Sequence, residues 1–157
     1  MPRSAASPSA TTWLELDRQV CFALYSASLA MTKLYKPLLA PLGLTYPQYL
    51  VMLVLWEGDG LTVSQLGERL ALDSGTLTPL LKRLEASTLV QRLRDTIDER
   101  RVLLRLTAAG RKLKARATAV PPAVAQASGC ALGELASLTA RLQTLRQELN
   151  DSTPRAA

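Results

Sequence analysis

The sequence contains no histidine and only two cysteines among its 157 residues. The absence of histidine excludes every catalytic mechanism that depends on an imidazole, including the Ser-His-Asp triad. Two cysteines are too few for a structural zinc site, which normally takes four Cys or His ligands, so we expect neither a metal nor a cofactor. A lone pair of cysteines in a cytosolic protein is usually inert or redox-active and seldom a permanent disulfide.

Long uncharged apolar runs are also missing. No stretch approaches the roughly 20 apolar residues that cross a bilayer, and residues 1–12 lack the apolar centre of a secretory signal. We therefore expect a cytoplasmic protein without a membrane partner, with disordered tails at 1–12 and 151–157. A hydrophobic content of 48% indicates one domain with a real core. The formal net charge of +6 favours a polyanionic partner, usually nucleic acid.

Apolar periodicity predicts a mainly α-helical protein with a small β-hairpin. Two strand-like runs, 89–94 and 101–106, flank a polar tip and form the hairpin. A proline inside a helix costs about 3 kcal/mol, so we expect the helix that contains Pro79 to begin near Thr76. The remaining predicted helices cover about 13–39, 47–57, 63–70 and 107–120, with a break at Pro121 and Pro122 and a last helix over 132–149.

Short helices, a tight turn, a further helix and a basic hairpin are together typical of a winged helix-turn-helix, which we place at 38–107. Small polar residues at the start of the helix after Asp73 can approach base edges. Cations one turn later suit phosphates, and arginines of the hairpin can enter a minor groove. The candidate DNA-binding residues are Ser74, Gly75, Thr76, Thr78, Pro79, Lys82, Arg83, Arg92, Arg94, Arg100 and Arg101.

The segments on either side of this unit, 13–37 and 108–150, carry apolar stripes beyond what its core needs. In the last helix the leucines recur at spacings of three and four residues. Packing against a second copy of the chain across a two-fold axis would bury both stripes, so we interpret these segments as dimerisation helices. Such a homodimer would bind a pseudo-palindromic site on double-stranded DNA.

Three stretches carry a resemblance to a known family. They are LTYPQY at 44–49, LDSGTLTPLLKRLE at 72–85 and DERR at 98–101. The chain resembles the multiple-antibiotic-resistance regulator (MarR) family of bacterial repressors, and within it the two-cysteine organic hydroperoxide resistance regulators. The resemblance implies that organic hydroperoxides oxidise Cys21, that Tyr35 and Tyr46 hold its thiolate with Tyr25 in support, and that Cys130 resolves the sulfenic acid in an intersubunit disulfide.

The residues themselves set conditions on that chemistry. A peroxide sensor needs a thiolate, and without histidine or a metal the charged sulfur would need hydrogen bonds from phenol hydroxyls. Tyr25 follows Cys21 by one helical turn and can touch it. Tyr35 lies roughly 21 Å further along a straight helix. It could therefore reach only the Cys21 of a partner chain whose first helix runs antiparallel.

Other interpretations stay open from the residues alone. Cys21 and the tyrosines could be ordinary core residues of a regulator that a non-covalent small ligand releases from DNA. The cysteine pair could also belong to a thiol peroxidase, although the basic wing would then be unexplained. A non-specific architectural DNA binder would have a steep salt dependence and little preference for one site.

Overall fold

The computed structural model describes residues 10–153. Three short 3-10 helices precede or follow the first α-helix, at Ala10–Leu14, Leu16–Arg18 and Ala40–Leu42. The α-helices and strands, in chain order, are α1 (Val20–Leu39), α2 (Tyr46–Glu57), β1 (Leu61–Thr62), α3 (Val63–Leu70), α4 (Ser74–Ala86), β2 (Val90–Arg94), β3 (Val102–Leu106), α5 (Ala108–Ala117), α6 (Val120–Ser128) and α7 (Leu132–Ser152).

The first α-helix begins at Val20, and the predicted start at Trp13 is wrong. Gln19 has an extended backbone, and its side-chain amide donates to the carbonyls of Trp13 and Glu15. Those carbonyls are thereby satisfied in short 3-10 turns instead of a continuous helix. The predicted tails mostly lie outside the described residues. Where they overlap with the structure, residues 10–12 belong to the first 3-10 helix and residues 151–152 complete α7.

Side-chain caps fix where the central helices begin. Thr45, Thr62 and Thr107 each accept a hydrogen bond from the backbone N–H three residues later, and the first two also form capping boxes with a glutamine. The same pattern holds at Asp73, whose carboxylate accepts from the Thr76 N–H at 2.9 Å. Such caps satisfy N–H groups that a helix start would otherwise leave without a partner.

The position of Pro79 differs from the prediction. The Asp73 cap starts α4 at Ser74, so Pro79 is inside the helix, beyond its first turn. Proline has no N–H for the Gly75 carbonyl, four residues earlier. One residue earlier, the Thr78 hydroxyl donates to the Ser74 carbonyl at 2.7 Å. The predicted start near Thr76 is therefore wrong by two residues, and the helix accommodates its proline.

The hairpin is part of a three-stranded antiparallel sheet with the order β1-β3-β2. In the wing, Val90 pairs with Leu106, Arg92 with Leu104 and Arg94 with Val102. The third strand, β1, adds Leu61 opposite Leu104. It was not predicted, because two residues are too few to display an alternating pattern.

The core lies almost entirely between α2 and α6. Its most buried side chains, all under 2% exposed, are Leu39, Val51, Met52, Leu55, Leu66, Leu77, Leu81, Leu84 and Leu104. Only Leu39 of α1 is buried, and no residue of α7 is. The two terminal helices therefore add little to the core of a single chain.

Within residues 10–153 no single helix has the length and apolarity of a membrane span. The segments Val20–Leu42 and Tyr46–Glu57 pass such a test only as a pair, and they meet at an angle of 66°. Much of the apolar surface of the second segment is buried in the core, including Val51, Met52 and Leu55.

Candidate functional site

One face of α4 is buried and the other is open. Leu77, Leu81 and Leu84 pack into the core. The candidate DNA-binding residues of this helix occupy the opposite side: Ser74, Gly75, Thr76, Pro79, Lys82 and Arg83 are exposed, and Thr78 is half-buried. α4 therefore presents a polar surface that begins with small residues and ends with two cations.

Two hydroxyls on this surface already donate hydrogen bonds within the protein. The Thr76 hydroxyl donates to the Asp73 carboxylate at 3.1 Å, and the Thr78 hydroxyl donates to the Ser74 carbonyl. Hydrogen bonds from Thr76 also hold the pKa of Asp73 below its ordinary value. In this arrangement both hydroxyl oxygens keep lone pairs that can accept from a ligand.

The tip of the wing is a turn that internal hydrogen bonds hold in shape. The Asp95 carboxylate accepts from the Ile97 N–H at 3.0 Å, and the Asp98 carboxylate accepts from the Arg100 N–H at 3.1 Å. Backbone hydrogen bonds from Asp95 to the Arg101 carbonyl and from Arg101 to the Asp98 carbonyl close the loop. Aspartates that bond to nearby N–H groups are typical turn formers. The acidic residues of the tip thus shape it, while its arginines extend outward.

The four candidate arginines of the wing are in different environments. Arg100 and Arg101 lie 3.6 and 3.8 Å from Asp98 and Asp95 in loose ion pairs, in which the Asp95 side chain is only 11% exposed. Arg92 instead forms a 3.0 Å ion pair with Glu85 at the end of α4. Among residues 12–153, no ion pair is found for Arg94, nor for the α4 cations.

Tyrosines of α1 and α2 meet where these helices cross. The ring centroids of Tyr35 and Tyr46 are 4.7 Å apart, and those of Tyr35 and Tyr49 are 5.8 Å apart. Tyr49 also has an edge contact with Trp56. Tyr49 was not among the candidate site residues, although its spacing of three from Tyr46 on one helix could have indicated that the two share a face.

Burial raises the pKa of all three phenols in this cluster above the ordinary tyrosine value. For Tyr35 the neighbouring Tyr46 and Tyr49 add to the effect, because two phenolates side by side would repel each other. The neutral form is therefore favoured, and each hydroxyl keeps its proton as a possible hydrogen-bond donor at neutral pH.

Cys21 is exposed, and it is not part of this cluster in its own chain. It lies in the first turn of α1, which continues unbroken to Leu39. Tyr35 is fourteen positions further along this helix, a rise of about 21 Å. Tyr25, which is also exposed, is one turn from Cys21. The structure thus brings Tyr35 and Tyr46 together and leaves Cys21 far from them within one chain.

Cys130 occupies the short connection between α6 and α7. Gly129 ends α6 in the left-handed conformation with φ of 67°. The Cys130 thiol is exposed, and its sulfur lies 3.6 Å from the Ser128 carbonyl oxygen. Both thiols are free. Within residues 10–153 no cluster of three metal-ligating side chains was found.

Comparisons with known proteins place this geometry in context. The family model "Transcriptional regulator SarA/Rot" matches residues 33–117, more than half of the chain. The HTH-type transcriptional regulator TtmR of Methylorubrum extorquens is 53% identical over 86% of this chain and 69% of its own. The organic hydroperoxide resistance transcriptional regulator of Bacillus subtilis is 48% identical over 87% of this chain and 93% of its own.

Solved structures agree with these relatives. Reduced AbfR bound to DNA has a TM-score of 0.73 at 36% identity and covers 89% of this chain and 96% of its own. AbfR, a protein of Staphylococcus epidermidis, has also been solved with a disulfide formed. That form has a TM-score of 0.58 at 37% identity and covers 86% of this chain and 95% of its own.

The capped α4, the basic wing and these matches define a winged-helix transcriptional regulator that binds DNA. The chain belongs to the MarR family of regulators, and it is similar to the organic hydroperoxide resistance regulators within that family.

Proposed function

We propose that this chain is a homodimeric repressor of the cytoplasm that releases a pseudo-palindromic DNA site when an organic hydroperoxide oxidises Cys21. The observation that carries the proposal is the placement of Cys21 in the first turn of α1 and of Tyr35, in contact with Tyr46 of α2, about four turns further along the same largely exposed helix. The relative from B. subtilis, whose name states organic hydroperoxide resistance, supports the choice of inducer.

The dimer follows from the surfaces of the terminal helices. On α1 the side chains of Val20, Leu29 and Met31 are exposed, and on α7 those of Leu132 and Leu138 are exposed. A monomer would leave these apolar side chains in water, whereas a second copy would bury them across a two-fold axis.

The spacing along α1 supports an antiparallel crossing. Cys21 and Tyr35 share a helical face, and Ser28 lies midway between them on it. A two-fold axis that passes near Ser28 would bring residue 21 of one chain against residue 35 of the other. Ala27 and Ala30, on either side of this midpoint, are small enough to let two helices approach closely. Neutral phenols of the partner could then donate hydrogen bonds to the Cys21 thiolate.

The chemistry balances without a cofactor. The Cys21 thiolate attacks the terminal, hydroxyl-bearing oxygen of the hydroperoxide, the O–O bond breaks, and the alkoxide leaves and takes up a proton to become the alcohol. Cys21 is then a sulfenic acid. The Cys130 thiolate of the partner attacks its sulfur and expels hydroxide, which leaves as water, and an intersubunit disulfide forms. Two equivalents of a cellular thiol restore both cysteines by exchange.

The bases and phosphates would meet the exposed side of α4 and the wing. In the proposed complex, residues 74–79 approach base edges in the major groove, while Lys82 and Arg83 contact phosphates. Arg94, Arg100 and Arg101 of the wing lie at the neighbouring minor groove. A disulfide between sites that are apart in the reduced dimer would shift the helices and move the two α4 helices out of register with their half-sites.

A regulator released by a non-covalent ligand is the second candidate, because a cavity of about 450 Å³ lies between the end of α1 and the start of α2. Its lining is largely apolar, with the cations Lys33 and Lys36 and the Tyr46 ring at its wall. Such a cavity suits a small apolar ligand. This candidate predicts that a Cys21→Ser variant still responds to the inducer.

The test is fluorescence anisotropy of the reduced protein on DNA from upstream of its own gene, at fixed salt. One equivalent of an organic hydroperoxide per chain is added, followed by dithiothreitol, with Cys21→Ser and Cys130→Ser in parallel. We expect site-selective binding that peroxide abolishes and thiol restores, with no response in Cys21→Ser. A response that survives in Cys21→Ser would overturn the proposal in favour of the non-covalent ligand.

Two further readouts separate the remaining alternatives. Many turnovers of hydroperoxide per chain with a thiol reductant would indicate a peroxidase. Equal affinity for the upstream DNA and a scrambled sequence, with a steep salt dependence, would indicate an architectural binder. The disulfide step would be wrong if Cys130→Ser released DNA as fast, as fully and as reversibly as the wild type.

A further inference from the structure

Arg92 differs from the other wing arginines in what its guanidinium contacts. It lies in the middle of β2, on the strand face that begins with the buried Val90. Its Nε lies 3.0 Å from a carboxylate oxygen of Glu85 in the last turn of α4, and the two side chains are only 32% and 29% exposed. Arg100, by comparison, is 95% exposed.

The junction between α4 and the wing is already fixed at one point. The Leu89 N–H donates to the Leu84 carbonyl, which ends the helix, and Thr88 adopts a left-handed φ of 59°. On the other side, the Thr107 N–H donates to the Leu89 carbonyl at 3.1 Å, and the Thr107 hydroxyl lies 2.6 Å from the Thr88 carbonyl oxygen and 3.2 Å from that of Leu89.

On its inner side the sheet is held through β3, which pairs with β1 and whose Leu106 N–H donates to the Asp59 carboxylate. β2 is the outer strand, and the Glu85–Arg92 ion pair joins the middle of this strand directly to α4.

We propose that Glu85 and Arg92 set the angle between α4 and the wing, and that Arg92 is a positioning residue instead of a DNA contact. The proposal rests on the DNA binding described above. The wing tip begins six residues beyond the junction at Leu89, about 20 Å further on, so a rotation of about 8° about that junction would move it by 2 to 3 Å. That displacement is the length of a hydrogen bond, and it separates a wing that meets the DNA from one that misses.

The proposal gives an acidic residue a favourable part in binding a polyanion. A free carboxylate at position 85 would repel phosphates, and its removal would tighten binding. A carboxylate that orients the wing is needed for selective binding, and removing that carboxylate weakens the binding of DNA. The sign of the Glu85→Gln effect therefore discriminates between the two roles. A partly exposed ion pair contributes little to stability, so the variants are expected to stay folded.

The variants are Glu85→Gln, Arg92→Gln, the double variant, and the exchange in which Glu85→Arg is combined with Arg92→Glu. Arg94→Gln is the matched control, because Arg94 is two residues further along the same strand face and has no ion pair in the described chain. Each protein is titrated with the upstream DNA and with a scrambled duplex, at several salt concentrations.

We expect Glu85→Gln and Arg92→Gln each to lower affinity for the upstream DNA by about threefold to tenfold, with no further loss in the double variant. The exchange variant should recover part of the loss. The salt dependence should change equally in Glu85→Gln and Arg92→Gln, because both act through the orientation of the wing, and it should be shallower by about one counterion in Arg94→Gln. Tighter binding by Glu85→Gln, or a salt dependence that is shallower in Arg92→Gln than in Glu85→Gln, would overturn the proposal.

A measurement without DNA keeps this test separate from that of the proposed function. Amide hydrogen exchange over β2 should be faster in both single variants than in the wild type. In the double variant it should be no faster than in the single variants. If amide hydrogen exchange is unchanged in both single variants, the Glu85–Arg92 pair does not hold the wing, whatever the DNA result. If the wild-type protein fails to prefer the upstream DNA, that result counts against the proposed repressor. The hydrogen-exchange measurement then decides whether the Glu85–Arg92 pair holds the wing.

Discussion

The central winged helix and the terminal helices of this chain use apolar residues in opposite ways. Between α2 and α6 the large apolar side chains are nearly all inside, and Leu66, Leu77 and Leu104 have no exposed surface. In α7 the leucines at 132, 138, 142 and 149 are between 37% and 75% exposed. The central segment buries its own apolar surface, whereas the terminal helices leave theirs exposed, where the proposed dimer would cover it.

The two regions also differ in how tightly their backbones are packed. In the centre, backbones approach so closely that single atoms matter: a Cβ on Gly110 would lie 2.1 Å from the Leu89 carbonyl oxygen. In α7 a Cβ on Gly133 would meet nothing within 4 Å. A DNA-reading surface needs the first kind of packing, because a shift of an ångström misplaces a recognition helix. The interface of the proposed redox-sensitive dimer would need the second, because its contacts would change on oxidation.

The largest expected effect comes from removing a core side chain of the centre. Leu104→Ala should lower the free energy of unfolding by about 2–5 kcal/mol, because Leu104 is fully buried in the middle strand of the sheet. Urea unfolding followed by circular dichroism measures the loss. Ile97→Ala, at a wing-tip side chain that is 95% exposed, is the control and should stay within about 0.5 kcal/mol of the wild type. Equal losses would contradict the division drawn above.

Two glycine substitutions should have opposite signs. Gly110→Ala pushes a methyl group against the Leu89 backbone. It also displaces the carbonyl of residue 110, which accepts a hydrogen bond from the Trp56 indole N–H at 2.9 Å. We expect a loss of about 1–3 kcal/mol. Gly133→Ala faces open space in the first turn of α7 and should gain up to about 1 kcal/mol from helix propensity. Thermal unfolding compares them, and a stabilised Gly110→Ala would show that α5 can move away from β2 freely.

Sequence reasoning performed best where local chemistry decides the structure. Helices α2, α3 and α5 begin at or beside the predicted residue because Thr45, Thr62 and Thr107 carry capping side chains. It failed where a local signal conflicts with a longer-range one. Pro79 alone indicated a later start for α4, but the Asp73 cap and the packing of Leu77 fix an earlier one.

Contacts across the fold were harder to predict than elements. The meeting of Tyr35 with Tyr49 and the pair of Arg92 with Glu85 both join different elements, and no spacing in the sequence reports either. The sequence pattern predicts that Arg92 binds DNA with its neighbours, since it records the charge of a residue and not its partner in the fold. The separation of Cys21 from Tyr35, in contrast, was predictable, since it depends only on the rise of a helix.

Charged residues on the apolar face of α7 test the part of this helix in dimerisation. Leu138→Glu with Leu142→Glu, one turn apart on the apolar face of α7, should weaken dimerisation about 100-fold or more, because each buried leucine is worth about 1.5 kcal/mol or above. Sedimentation velocity measures the association, and circular dichroism should still report a folded centre. The control is Thr139→Glu with Gln143→Glu, which places the same charges at exposed polar positions one residue further on. A control that dissociates equally would assign the effect to net charge and not to the leucine face.

The smallest expected effect is at the border between the two regions, where Tyr35 of α1 meets Tyr46 and Tyr49 of α2. Burial raises the pKa of these phenols in the folded protein above the ordinary value of about 10. The stability that comes from keeping them neutral is thus fully present below pH 10 and is lost as the pH rises through the raised values. Stability measured from pH 8 to 11.5 should fall at the alkaline end, and less steeply in Tyr35→Phe, which has one such phenol fewer. Absorbance titration of the folded protein should find phenolate formation at higher pH than in urea. If both titrations coincide, these rings are open to water, and the cluster belongs with the exposed terminal helices and not with the centre.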